Sequence, residues 1–176
     1  GGIAIADVLF GDFNPAGRLP FSVPRSVGQI PLYYNKKAPQ SHDYVEMSAS
    51  PLYPFGYGLS YTSFDYSDLH LSALMPRSFE ISFKVRNTGK YDGEEVAQLY
   101  LRDEYASVVQ PLKQLKHFAR FYLKRGEERE VKFILSEEDF SLVDRNLKRI
   151  VEPGTFQIMI GAASDDIRLQ TKVEIK

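Results

Sequence analysis

The side chains of this chain best equipped for chemistry are carboxylates, and they come in adjacent groups: Glu94-Glu95, Glu127-Glu128, Glu137-Glu138-Asp139 and Asp165-Asp166. Two carboxylates facing each other across a substrate could cleave a glycosidic bond, one as the acid and the other as base or nucleophile. Sequence neighbours at turns and strand edges do not face each other in that way, and acidic residues there are normally solvated. Asp43 and Glu46, beside Tyr44 in a polar stretch, are better placed. Acidic and aromatic side chains on one loop can touch a polar ligand, although a plain surface loop is the alternative reading. Asp43 and Tyr44 are therefore the candidate ligand-binding residues.

The other reactive residue types are poorly arranged. His42, His70 and His117 are too scattered for a metal-ligand spacing, and there is no cysteine, hence no disulfide framework and no thiolate zinc site. No metal and no cofactor are expected. Ser60 and Ser63 have no His and Asp nearby in sequence to suggest a triad. The Gly56-x-Gly58 pair is flanked by aromatics rather than by a strand and a helix start, so it is not a phosphate loop. A net charge of −1 and the lack of basic runs interleaved with aromatics give no bias toward nucleic acid or an anionic surface. No stretch approaches the ~20 apolar residues of a membrane span, and the N-terminus lacks a signal-peptide pattern. Neither nucleic acid nor membrane is an expected partner.

The elements that must position these residues are organised around Pro51–Phe64, which concentrates aromatics, prolines and glycines. Its prolines forbid helix and interrupt a sheet ladder. Tyr53, Phe55, Tyr57, Tyr61 and Phe64 would each bury a large area, so the segment reads as a joint between two packed bodies, with Tyr53, Phe55 and Tyr61 mostly buried. A sugar-stacking platform is the alternative. Before the joint, Ile5, Val8 and Leu9 have helical spacing and Gly11 sits where a C-capping glycine would. A turn-rich loop follows, then short extended pieces at Phe21–Pro24 and Gln29–Tyr34, and a polar loop from Lys36 to Ser50. The helix end and these pieces lack partners of their own. Together with the absence of an initiator Met, this leads to the expectation of a piece cut from a longer polypeptide.

From Phe64 onward strands alternate with turns. Glu80–Arg86 turns Ile81, Phe83 and Val85 to one face. Glu95–Arg102 is apolar on both faces, the mark of a strand covered on both sides. Further strands are read at 64–71, 115–123, 130–135, 140–143, 147–152, 156–160 and 167–175, with a helical turn at Ser136–Asp139 from its capping-box pattern. The fold class is mainly β, an immunoglobulin- or fibronectin type III-like sandwich.

Six motifs then appear in order: Gly11-Asp12-Phe13-Asn14-Pro15-Ala16-Gly17-Arg18-Leu19-Pro20, Gln29-Ile30-Pro31-Leu32-Tyr33-Tyr34-Asn35, Pro51-Leu52-Tyr53-Pro54-Phe55-Gly56-Tyr57-Gly58-Leu59-Ser60-Tyr61-Thr62, Asn87-Thr88-Gly89, Gly93-Glu94-Glu95-Val96-Ala97-Gln98-Leu99-Tyr100 and Glu152-Pro153-Gly154. Together they resemble the C-terminal part of glycoside hydrolase family 3 enzymes of the β-glucosidase type. The resemblance implies that residues 1–35 are the C-terminal remnant of an α/β sandwich domain, 36–62 a loop and aromatic linker, and 63–176 a fibronectin type III-like domain. It places the nucleophilic aspartate in an upstream barrel and the acid/base glutamate in the α/β sandwich. No residue here then inherits a catalytic role, and the implied partners are the upstream domains and, through them, a β-linked sugar. Asp43-Tyr44-Val45-Glu46 stands where relatives often carry an Arg-Tyr-x-Asp-like run. The resemblance also implies a periplasmic or secreted location and leaves homo-oligomerisation open. A stand-alone carbohydrate- or protein-binding fibronectin-like module is the alternative function.

Overall fold

The computed structural model describes residues 1–37, 43 and 45–176. Helix α1, Gly2–Phe10, ends at Gly11 in a left-handed cap whose N–H donates to the Val8 carbonyl. None of its nine residues is buried, and Ile3, Ile5, Leu9 and Phe10 project into open space. The described residues between 11 and 62 then run without a regular strand. Of the expected extended pieces, Phe21–Pro24 makes an isolated bridge from Val23 to Tyr53, and Gln29–Tyr34 begins in a 3-10 turn over Val27–Gln29 and forms no ladder; in the loop that follows, Lys37 bridges Pro111. Pro20, Pro24 and Pro31 each remove a donor, which is why no ladder propagates there.

The sandwich is built from β1 (Phe64–Met75), β2 (Ser78–Asn87), β3 (Gly93–Asp103), β4 (Gln114–Leu123), β5 (Glu128–Leu135), β8 (Gly154–Ala163) and β9 (Asp166–Ile175), with a small pair β6 (Leu142–Val143) and β7 (Arg149–Ile150) between β5 and β8. One sheet has the order β1-β2-β5 and the other β4-β3-β8-β9, all neighbours antiparallel. Period-two alternation sends Ile81, Phe83 and Val85 of the first sheet against Ala97, Leu99, Leu101, Ile158 and Ile160 of the second, closing one core. A slip of one residue would turn each set outward, so burial fixes the register.

Strand β3 departs from simple alternation, because Glu95 to Leu101 are all buried. Its inner face meets the core; its outer face is covered by the irregular N-terminal segment. The predicted helical turn at Ser136–Asp139 is a non-helical turn: the Ser136 N–H and hydroxyl both donate to Asp139 Oδ2, at 2.8 and 3.1 Å, while the Asp139 N–H donates to the Ser136 carbonyl rather than to its hydroxyl, so only half of the capping box forms. Strand β1 continues to Met75, four residues beyond its expected end, because β2 supplies a partner along that whole length.

Candidate functional site at the aromatic joint

The joint is held first by backbone pairing. Leu52 N–H donates to Val23 O and Val23 N–H to Tyr53 O, while Gly56 N–H donates to Leu19 O and Leu19 N–H to Tyr57 O, each at 2.8 Å. On the other side Ser164 N–H donates to Phe55 O at 2.9 Å, tying the segment to the β8–β9 turn. Gly56 has φ of 81° and lies against the Gln98 amide, so a side chain there would meet both backbone strain and a collision. That amide is fully used: Nε2 donates to Gly56 O and Ala162 O, and Oε1 accepts from the Tyr100 hydroxyl. Burial pushes the Tyr100 hydroxyl well above the usual phenol range.

The rings divide into three groups. Phe55 stacks on Tyr34 with centroids 4.1 Å apart, and Tyr34 meets Tyr100 edge-on at 6.1 Å. Phe64 enters the sandwich core. Tyr53 and Tyr57 pair with each other at 5.0 Å, and Tyr61 donates its hydroxyl to Val8 O of α1 at 2.5 Å. The expectation that Tyr53 and Tyr61 are mostly buried is wrong, since they are 41% and 46% exposed. Both are amphipathic, so each packs one flank on the joint and leaves the other in solvent. Phe55 is half-buried rather than fully covered.

Two polar links, neither singled out by sequence, lock the N-terminal segment to the sandwich. Asn14 Nδ2 donates to Asp92 O at 2.8 Å, while its Oδ1 accepts from Ser60 Oγ and Tyr61 N–H. Arg18 reaches from the loop to Glu95, its Nη2 lying 3.0 and 3.1 Å from the two carboxylate oxygens, with side chains only 11% and 4% exposed. Tyr66 of β1 donates to the same carboxylate at 3.0 Å, and its hydroxyl is pushed far up by burial and then by the Glu95 charge. A signal for this link was present. Glu95 falls in step with Ala97, Leu99 and Leu101 on a core-facing row, where a carboxylate needs a cation.

The loop candidates have a different setting. Asp43 Oδ1 accepts from Ala49 N–H at 2.9 Å and from Ser48 Oγ at 3.4 Å, closing a turn within the loop. Tyr44 lies outside the described residues. Gln29 holds the returning arm, donating from Nε2 to Ser48 O and Ser50 O, and Leu112 N–H donates to Lys36 O at the outgoing arm. The loop's base therefore rests partly on the β3–β4 connection.

Most members of the acidic groups are engaged with cations or backbone amides. Glu94 meets Arg120, Glu128 meets Lys84, Glu137 meets Arg77, Glu138 meets Arg149 and Asp166 meets Arg168. Glu127 accepts from Lys124 N–H. Glu94 and Glu95 point to opposite faces of β3. No cluster of three potential metal ligands occurs among the described residues.

Residues 1–61 match the model of the glycosyl hydrolase family 3 C-terminal domain, and residues 95–164 match that of a fibronectin type III-like domain. The chain belongs to the C-terminal region of glycoside hydrolase family 3. It is 46% identical to a periplasmic β-glucosidase of Salmonella typhimurium, across 96% of this chain and 24% of that protein. A β-xylosidase of Formosa agariphila is 44% identical across 95% of the chain and 24% of its own length. Among solved structures, a β-glucosidase from Erythrobacter marinus superposes with a TM-score of 0.93 at 42% identity, covering 100% of this chain and 24% of that one. The glucose complex of a Listeria innocua β-glucosidase gives 0.89 at 36% identity, over 99% and 26%. The chain thus spans about a quarter of each of these relatives. The first of the two family matches runs through most of the joint to residue 61, and the second begins at Glu95 on β3. No helix is long and apolar enough to cross a membrane among the described residues.

Proposed function

We propose that this chain is the structural, accessory portion of a β-glucosidase-like exo-glycosidase, in which the sandwich buttresses catalytic domains that carry both reacting carboxylates. The observation that carries this reading is the Arg18–Glu95 pair, a nearly buried link that ties the segment before the joint to the sandwich. The cation and backbone partners of most of the acidic groups described above support it, since those carboxylates are already held by the chain itself.

Residues 1–35, 36–62 and 63–176 are proposed as the remnant, linker and fibronectin type III-like units. Asp43 and Tyr44 are proposed to reach the sugar from the loop. A periplasmic or secreted location accords with the name of the Salmonella relative. The test is hydrolysis of aryl β-glucosides. The full-length protein should turn them over and the isolated 176-residue chain should not; turnover by the isolated chain at enzyme-like rates would overturn the reading. In the full-length protein Asp43→Ala should raise KM more than it lowers kcat, and an unchanged KM would remove the loop from the site.

A further inference from the structure

A groove of about 760 Å³ opens between the end of α1 and the edge of the sandwich. Phe10 and Phe13 form its helix side, and Tyr91 and Tyr122 its sandwich side, with Tyr61 at its floor. All five rings are substantially exposed, Phe10 at 85%. We propose that this groove seats an apolar side chain, flanked by Lys or Arg, from the polypeptide that precedes Gly1 in the full-length family 3 protein. This deepens the accessory role and rests on it.

Three observations select that occupant. The chain covers only 24% of the matched relatives, and α1 lies inside the part that matches the family's C-terminal domain, so three quarters of such a protein remains to cover it. The groove is continuous with the joint: Tyr61 ties its hydroxyl to Val8 O, and Asn14 ties the loop after α1 to Asp92 O. An element seated there would touch helix and sandwich at once and would clamp their relative orientation. The charged residues lining the groove are all acidic, Asp12, Asp92 and Glu94; outside the lining, Arg120 holds Glu94 and the charge of Lys124 acts on Asp92. Asp92 is fixed as an anion, because the Arg125 N–H and the Tyr122 hydroxyl donate to it and hold its carboxyl below the usual range. An apolar anchor with a basic neighbour fits this combination.

The test is tyrosine-selective acylation read by peptide mass spectrometry, in the 176-residue chain and in the full-length protein, with a free tyrosine derivative added to both as the rate reference. Tyr91 should react readily in the chain and about tenfold slower or more in the full-length protein, where reaction would require local opening. Equal rates would overturn the proposal. So would protection within the chain that grows with its own concentration, which would make a second copy the occupant, or protection by added cellobiose, which would make it a glycan. As a second measurement, Phe10→Ser should lower Tm in the full-length protein and leave the chain's Tm unchanged; no difference between the two would count against the groove. Glycosidase turnover by the full-length protein is read separately, so its absence would remove the functional reading while the labelling still decides this one.

Discussion

Replacing Arg18 with Leu would leave Glu95 as a charge without its cation at a site where the carboxylate side chain is 4% exposed. Removing one partner of a buried pair costs about 3–5 kcal/mol, because the desolvation of the remaining ion is no longer offset. For a chain of this size 1 kcal/mol shifts Tm by roughly 2–4 °C, so Arg18→Leu should lower Tm by roughly 6–20 °C. Glu95→Gln leaves the Tyr66 hydroxyl an acceptor while removing the charge, so the double variant Arg18→Leu/Glu95→Gln should recover much of that loss. Arg18→Lys keeps the charge without the planar fork and should fall between. Urea unfolding at pH 7 of the unsubstituted protein, Arg18→Leu, Glu95→Gln and the double variant gives the coupling directly as a double-mutant cycle. A cost below about 1 kcal/mol for Arg18→Leu, the range of exposed pairs, would refute the claim that the pair lies in the interior. Strict additivity would refute the claim that the two residues act together.

Three further outcomes follow from the same architecture. Deleting residues 1–62 should destabilise the sandwich strongly, since it removes Arg18 and uncovers the outer face of β3 at Gln98 and Tyr100; an unchanged melting temperature would show the sandwich to be autonomous. Phe55→Ala should cost about 2–4 kcal/mol, toward the low side for a phenylalanine because its ring is half-buried, and a loss below about 1 kcal/mol would make the joint a loose tether. Tyr66 and Tyr100 have hydroxyls raised by burial. In the unfolded chain both ionise near pH 10 while the folded chain keeps their protons, so their contribution is complete below pH 10 and is lost as pH rises above it. Phenolate absorbance should therefore show these two of the eleven tyrosines ionising only with unfolding; full ionisation of all eleven in a folded chain would contradict this.

Much of the sandwich could be read from one dimension. Ile81, Phe83 and Val85 alternate because a strand exposes its sides in turn, and the pleat carries that period without help from distant residues. The two-sided burial of β3 was readable too, since apolar residues at consecutive positions leave neither face for water. The site was less legible. The six motifs named the region that contains Asn14 and Arg18, yet nothing local to Arg18 says that its partner lies 77 positions away. The burial of Tyr53 and Tyr61 in the aromatic segment was overestimated, because a tyrosine's exposure depends on what packs against each flank and not on its size.

What the sequence alone determined is the set of properties with a local cause: strand period, turn positions, the C-cap at Gly11, the lack of thiol and clustered-histidine chemistry, and an ordered set of motifs. The tertiary structure decided the rest. It brought Arg18 to Glu95, Tyr34 between Phe55 and Tyr100, and Phe10 opposite Tyr122. Such pairings arise when two irregular segments and a sheet face compete to bury the same surface, and that competition has no period along the chain.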